Sequence, residues 1–302
     1  VVPASGLVIG STAVSSTAAE LNLLDGLDRG SILYGNASSA TTVLGQGSAD
    51  QVLTSDGTDI AWADASGGAT DLDGLSDCKV AGTNFTGSMI LGHETTGTLD
   101  AATYNTAVGL TAMDAITTGD YNVVMGYGAL SAGTSATNNV AIGRNALNAS
   151  VGGLGNVALG AGAMSVSPGG DPSEGAYNVI IGHSAGDELT TASYCVGIGI
   201  NALGGVLTGL NNVAIGRNAG MAMTSGAYNT VIGSQCGDAT TSGTYDVFMG
   251  YGSGGANTTG AGNTGMGSLS LVANTEGDYN TAVGYASLDA NTTADNNVAV
   301  GK

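Results

Sequence analysis

The chain has 302 residues, with 24 Asp or Glu against 5 Lys or Arg, for a net charge of −19. That balance lacks the basic footprint that nucleic acid or an anionic membrane surface requires, and no apolar run nears the ~20 residues of a membrane span. The 53 glycines would suit a disordered chain, but 42% hydrophobic content and a strict internal period argue for a folded one that net charge keeps soluble.

The chain starts at Val1 rather than Met and carries no signal peptide, as a processed or partial chain would. Residues 1–48 read as a linker with one short helix: Thr17 and Glu20 fit a capping box, and Gly26 fits a C-terminal stop after Leu21-Asn22-Leu23-Leu24-Asp25. Residues 49–87 read as a small domain built on a β-hairpin, Gln51 to Trp62, with Asp56-Gly57 at its tip. Neither piece buries enough apolar surface to stand alone, so intertwining with sister chains is expected.

From residue 88 a motif Asn-x-x-x-Gly recurs, with its glycine at Gly92, Gly109, Gly126, Gly143, Gly160, Gly182, Gly199, Gly216, Gly233, Gly250, Gly267, Gly284 and Gly301. Every interval is 17 residues except the 22 between Gly160 and Gly182. Self-similarity at a fixed short period marks a unit stacked on copies of itself, here a β-solenoid of 13 rungs over 88–302. Within a rung such as Asn139-Val140-Ala141-Ile142-Gly143, the second residue is Val or Thr after the first rung, the third is mostly small and the fourth is larger and apolar. β-Branched residues with a period of two are strand chemistry. Alternation puts the second and fourth residues on one face and the third on the other. The larger pair, Val140 and Ile142 for example, is expected to fill the coil. The small apolar column then needs either the second wall of its own coil or a neighbouring chain. The reading taken is a neighbouring chain, with Ala107, Ala141, Ala158, Ala214, Ala282 and Ala299 on a trimer axis. The repeated Asn predicts a ladder in which each amide bonds the next. A second small column three residues past each Gly, Ala129 and Ala146 among them, marks a second strand or corner before a polar turn.

The segment Thr17-Ala18-Ala19-Glu20-Leu21-Asn22 through Asp25-Gly26 resembles one common in tail fibres of marine bacteriophages, cyanophages especially. Gln51-Val52-Leu53-Thr54-Ser55-Asp56-Gly57 followed by Ala61-Trp62 is similar to another phage-fibre motif. Rungs such as Tyr279-Asn280-Thr281-Ala282-Val283-Gly284-Tyr285 resemble head repeats of trimeric autotransporter adhesins. The resemblance implies an all-β, homotrimeric parallel β-roll outside the cell. Its expected work is that of a virion tail-fibre shaft, partnered by itself and by other tail proteins, which contributes to attachment at a host-surface glycan or protein. The alternative is a bacterial trimeric surface adhesin or an end-to-end filament subunit.

Chemistry is sparse. The residue after each Gly varies most and gathers Tyr127, Arg144, His183, Arg217, Tyr251 and Tyr285, the types favoured at binding surfaces or at a solvated corner. The long interval carries Asp171 and Glu174 in a loop suited either to specificity or to tolerated insertion. A tyrosine column before the Asn, Tyr104 to Tyr279, is expected to stack on itself rather than on sugars. Asp171 with Glu174, or Asp187 with Glu188, could pose as a carboxylate pair. No metal spacing or cofactor motif accompanies them, and Cys78, Cys195 and Cys236 read as small buried residues. The expectation is a non-enzyme without cofactor or metal, without nucleic acid and without membrane insertion.

Overall fold

The computed structural model describes residues 27–49, 51–64, 84, 86–92, 99–166 and 175–302, together with the backbone of short strands at 8–9, 12–13 and 78–80. Among these residues the fold is all-β, with no helix. The expected helix at 17–26 and the loop bearing Asp171 and Glu174 lie outside the described residues. The chain divides into two compact units, Val1–Thr70 and Asp71–Lys302.

The first unit consists of antiparallel pairs. Strands β1 (Val8–Ile9) and β2 (Thr12–Ala13) form one, β3 (Ile32–Gly35) and β4 (Thr41–Leu44) a second, and β5 (Gln51–Ser55) and β6 (Ile60–Asp64) the third. The last is the hairpin expected from Asp56-Gly57. Asp56 Oδ1 accepts from the N–H groups of Thr58 and Asp59, and Gly57 takes the left-handed φ of +90° that such a tip requires. Two contacts join this hairpin to the preceding one: Trp62 Nε1 donates to Gly45 O at 2.6 Å, and Ala37 N donates to Asp59 Oδ1 at 3.1 Å.

In the second unit β7 (Cys78–Val80) runs antiparallel to β8 (Met89–Leu91), which opens a ladder of parallel three-residue strands. These are β9 (Thr106–Val108), β10 (Val123–Met125), β11 (Val140–Ile142), β12 (Val157–Leu159), β13 (Val179–Ile181), β14 (Val196–Ile198), β15 (Val213–Ile215), β16 (Thr230–Ile232), β17 (Val247–Met249), β18 (Thr264–Met266), β19 (Thr281–Val283) and β20 (Val298–Val300). They make one parallel β-solenoid in rung-by-rung register, with Ala141 opposite Ala158, for example. At ~4.8 Å per rung the coil is roughly 60 Å long. The 22-residue interval leaves the register intact, because Val157 still faces Val179.

The faces are the reverse of the expected ones. The third residue of each rung, the middle one of its strand, points into the coil's own core: Ala107, Ala141, Ala158, Ala214 and Ala282 are fully buried within the single chain, and Ala299 in the last strand is half-buried. They are therefore core residues rather than trimer-axis residues. The second and fourth residues, Val140, Ile142, Ile215 and Ile232 among them, face outward and are only half-buried. The column is small because the opposite wall fills the space. Four residues past each Gly stands a residue with positive φ: Met113, Leu130, Leu147, Met164, Leu203 or Leu271, each with its side chain fully buried. Where the strand centre is Ile180, Val231 or Phe248, that position is glycine, whereas Val124 faces Leu130. An ideal Cβ on Gly186 would come within 3.3 Å of Ile180, on Gly237 within 2.9 Å of Val231, and on Gly254 within 2.5 Å of Phe248. The two walls thus trade volume at constant core density.

Two columns hold the rungs in register. The Asn of the motif is buried, and its Oδ1 accepts from the backbone N–H of the next Asn: Asn122 N to Asn105 Oδ1 at 3.0 Å, Asn139 N to Asn122 Oδ1 at 3.0 Å, and Asn178 N to Asn156 Oδ1 at 2.9 Å across the insertion. Its Nδ2 donates to a corner carbonyl 14 residues on, as Asn139 does to Gly153 O at 2.7 Å. A buried amide with all its groups paired specifies register as well as stability. The motif Gly is obligatory for two reasons. Its φ lies between +116° and +143°, where side-chain-bearing residues rarely go, and a Cβ there would strike the backbone of the next rung, within 2.4 Å of Gly160 O in the case of Gly143.

Candidate functional site

The outward face of the solenoid strands is an extended surface. Val123 and Met125 are 46% and 50% exposed, and Leu159, Met249 and Met266 are each more than a third exposed. With Ile142, Ile181, Ile198, Ile215 and Ile232 they form two adjacent apolar columns along the coil. A strand face that met only water would carry polar residues. An apolar strip of this length, roughly 60 Å by 10 Å, reaches the upper end of the about 300–600 Å² that the largest patch on a monomeric protein spans. Its Thr and Val at one column and Ile, Met, Leu and Val at the other are the residues that sequence reasoning had placed inside.

Beyond each motif Gly the chain turns at a corner, and the variable column lies there as an exposed row. Tyr127, Tyr251 and Tyr285 are more than half exposed, and Arg144, His183 and Arg217 are exposed beside Leu110 and Ile200. The structure brings these six residues onto one edge of the solenoid, as the spacing implied. Lys302 Nζ sits 5.7 Å from the Tyr285 ring centroid, a cation–π distance. Asp171 and Glu174 lie outside the described residues and are not placed.

Before each Asn stands the tyrosine column. Its rings stack in pairs: Tyr104 on Tyr121 at 5.0 Å, Tyr177 on Tyr194 at 5.5 Å and Tyr228 on Tyr245 at 5.1 Å, with planes within 11° of parallel. The backbone explains the composition. Every member has φ near +60°, and the positions not held by Tyr are Asn138, Asn211, Asn296, Gly155 and Gly262, the residues that tolerate this region. Tyr pairs recoup by stacking what the left-handed backbone costs, in line with the expected supporting role.

Ionisable groups are few and separate. Asp187 adjoins Glu188, and burial first, then the Glu188 charge, raise its carboxyl above the usual range. The two are chain neighbours at a corner, so they cannot flank a substrate from opposite sides. Among the described residues no group of three or more His, Cys, Asp or Glu could hold a metal ion. Cys195 and Cys236 are buried thiols, with Cys236 pushed up to about 12 by burial and donating to Phe248 O at 3.1 Å. Cys195 occupies an Asn position and keeps the ladder through its N–H, which donates to Asn178 Oδ1 at 2.8 Å. The side chain of Cys78 lies outside the described residues.

Asp246 is the unusual group. It occupies the Asn column, fully buried, and its Oδ1 accepts from Asn263 N at 2.8 Å. Having no Nδ2, it cannot bond the corner carbonyl. Asn257 does so instead, donating to both Asp246 Oδ2 at 3.1 Å and Gly260 O at 3.0 Å. Burial above all, and to a lesser degree the Asp278 charge, push the carboxyl up to about 7, against the hydrogen bonds from Asn263 and Asn257.

No protein family, curated protein or solved structure matches this chain. Its function must be argued from these surfaces. The inner column was open to prediction. Bulky Ile180, Val231 and Phe248 each pair with a glycine six residues on, while Ala and Gly pair mostly with Leu or Met, a trade that only opposing walls of one coil require.

Proposed function

We propose that this chain is the shaft of an extracellular attachment fibre, with three copies packed about one axis through the outward Val/Ile/Met columns. The observation that carries this reading is the apolar strip: a protein of net charge −19 keeps charge off this face along the whole coil. At roughly 600 Å², the strip approaches the about 800 Å² that each partner contributes to a standard interface. The resemblance of the 17–26 and 51–62 segments to phage tail fibres, and of the rungs to trimeric adhesin heads, supports three-fold packing and a virion setting. A mechanical role fits a ladder of identical rungs without a paired-carboxylate or metal constellation among the described residues. The edge bearing Tyr127, Arg144, His183, Arg217, Tyr251 and Tyr285 would flank the packed face and is the proposed place for contact with a host surface. Three copies would repeat each weak contact and raise avidity.

Sedimentation equilibrium of the purified chain tests the packing, with a trimer expected. Mass spectrometry of purified phage particles tests the setting. Recovery of the chain from a bacterial surface fraction instead would select the adhesin.

A further inference from the structure

The two hairpins of the first unit enclose an open cleft of about 600 Å³, lined by Arg29, Gln46, Gly47, Ser48, Gln51 and Trp62. That volume is in the range of small-ligand sites, about 300–1,000 Å³. The cleft is built from specific contacts. Trp62 is fixed by its bond to Gly45 O and by Gly47 lying against the indole, where an ideal Cβ would come within 2.6 Å of Cδ2. Gln51 is held at both ends: its Oε1 accepts from Ser48 N at 2.9 Å and its Nε2 donates to Asp64 Oδ1 at 3.1 Å. Gly30, at φ +86°, packs on the Gln46 side chain. Walls and floor are thus held by contacts within the chain.

Two groups in this frame are uncommitted. Among the described residues, neither the Arg29 guanidinium nor the Gln46 amide has a hydrogen-bond or ionic partner. Arg29 is also the only basic residue between 27 and 64, a stretch that carries Asp28, Asp50, Asp56, Asp59 and Asp64. A guanidinium without a partner among the described residues, lining the same cleft as the chain's single tryptophan, is a combination with a definite chemistry. The planar fork pairs two-pronged with a carboxylate, the indole offers an apolar face to a sugar ring, and the amide bonds hydroxyls.

We infer that this cleft binds a saccharide bearing a carboxylate, a uronic acid unit, with the carboxylate on Arg29, the pyranose ring against Trp62 and ring hydroxyls on Gln46. A bare inorganic anion would leave the indole unused, and a neutral sugar would leave the guanidinium unpaired. A polyanion such as a nucleotide triphosphate would meet the surrounding aspartates with one cation to offset several charges. This inference does not depend on the trimeric shaft: a chain that sediments as a monomer would still carry the cleft.

Because Trp62 is the only tryptophan, its emission reports on the cleft directly. The full chain is titrated with oligogalacturonate and with a neutral maltooligosaccharide of equal length. Saturable change with the uronate is expected, at a half-saturation at least about tenfold below that of the neutral sugar and rising as NaCl is added. Arg29→Gln should raise the uronate half-saturation about tenfold or more while the near-ultraviolet dichroism of Trp62 is unchanged. The inference is overturned by no saturable response to uronate, by an equal response to the neutral sugar, by indifference to salt, or by an Arg29→Gln chain that binds as before. The salt and neutral-sugar comparisons on the unmodified protein decide the matter even if the variant misfolds.

Discussion

The two faces of one three-residue strand carry similar chemistry and opposite fates. In β11, Ala141 is fully buried while Val140 and Ile142 on either side are half-exposed. Size would suggest the reverse, since larger apolar side chains gain more from burial. What decides is the distance to the facing wall. The coil is so narrow that Leu147, coming from the opposite side with its backbone in the left-handed region, takes the room a larger strand residue would need. Among the described residues no wall faces the outer side, and its larger residues stay half-exposed. Inside, a side chain is constrained by volume; outside, by whether another surface arrives.

The comparison can be broken most forcefully at Phe248, the largest buried side chain, which is seated among Gly237, Gly254 and Gly265. Phe248→Ala should cost about 3–5 kcal/mol by chemical denaturation, because three glycines cannot collapse into the cavity. Hydrogen exchange should rise first in the adjoining rungs, since solenoid stability is nearest-neighbour. A comparable loss from Ile142→Ala in dilute, unassociated protein would contradict the assignment of the faces.

The trade of volume between walls makes a sharper test. Ala141→Leu should cost about 1–3 kcal/mol by overpacking. Adding Leu147→Gly should recover much of it, copying the Ile180–Gly186 and Val231–Gly237 pairs. Additive losses in the double variant would mean that the two positions do not share space.

Asp246 tests the inner face by pH. Its folded carboxyl sits at about 7, above the ordinary 3.8, so between these values the folded chain holds a proton that the unfolded chain has released. Its contribution is fully present below about pH 4 and is lost as pH rises through 7, on the order of 4 kcal/mol. Asp246→Asn should match the unmodified chain in mild acid and be the more stable at pH 8, the amide pairing as Asn263 does with Asn274 at Gly277 O. Equal melting midpoints at both pH values would show that Asp246 is solvated.

The smallest effect is expected on the tyrosine column. Tyr121→Gly should change stability by less than about 1 kcal/mol, because lost stacking is offset by relief of its left-handed backbone.

Much of this architecture was legible in the residues. The 17-residue period, the three-residue strands, the Asn ladder, the stacked tyrosines and the Asp56-Gly57 tip all follow from local chemistry that repeats. The orientation of the strands was not, because alternation fixes which residues share a face and is silent on which face is enclosed. The left-handed Leu and Met column, which decides it, is invisible to propensity, since these residues seldom adopt that backbone. The Arg29–Trp62 cleft was hidden for a different reason: it is assembled from residues as far as 33 positions apart, with no motif joining them.

The central claim is that the small column closes the coil from within while the larger apolar columns join copies of the chain. Sedimentation equilibrium of the unmodified protein beside an Ile142→Asp, Ile215→Asp double variant tests it most directly. Three chains per particle are expected for the first, and a folded single chain, still rich in β-structure by circular dichroism, for the second. A monodisperse monomer of the unmodified protein, or a trimer that survives both aspartates, would contradict it.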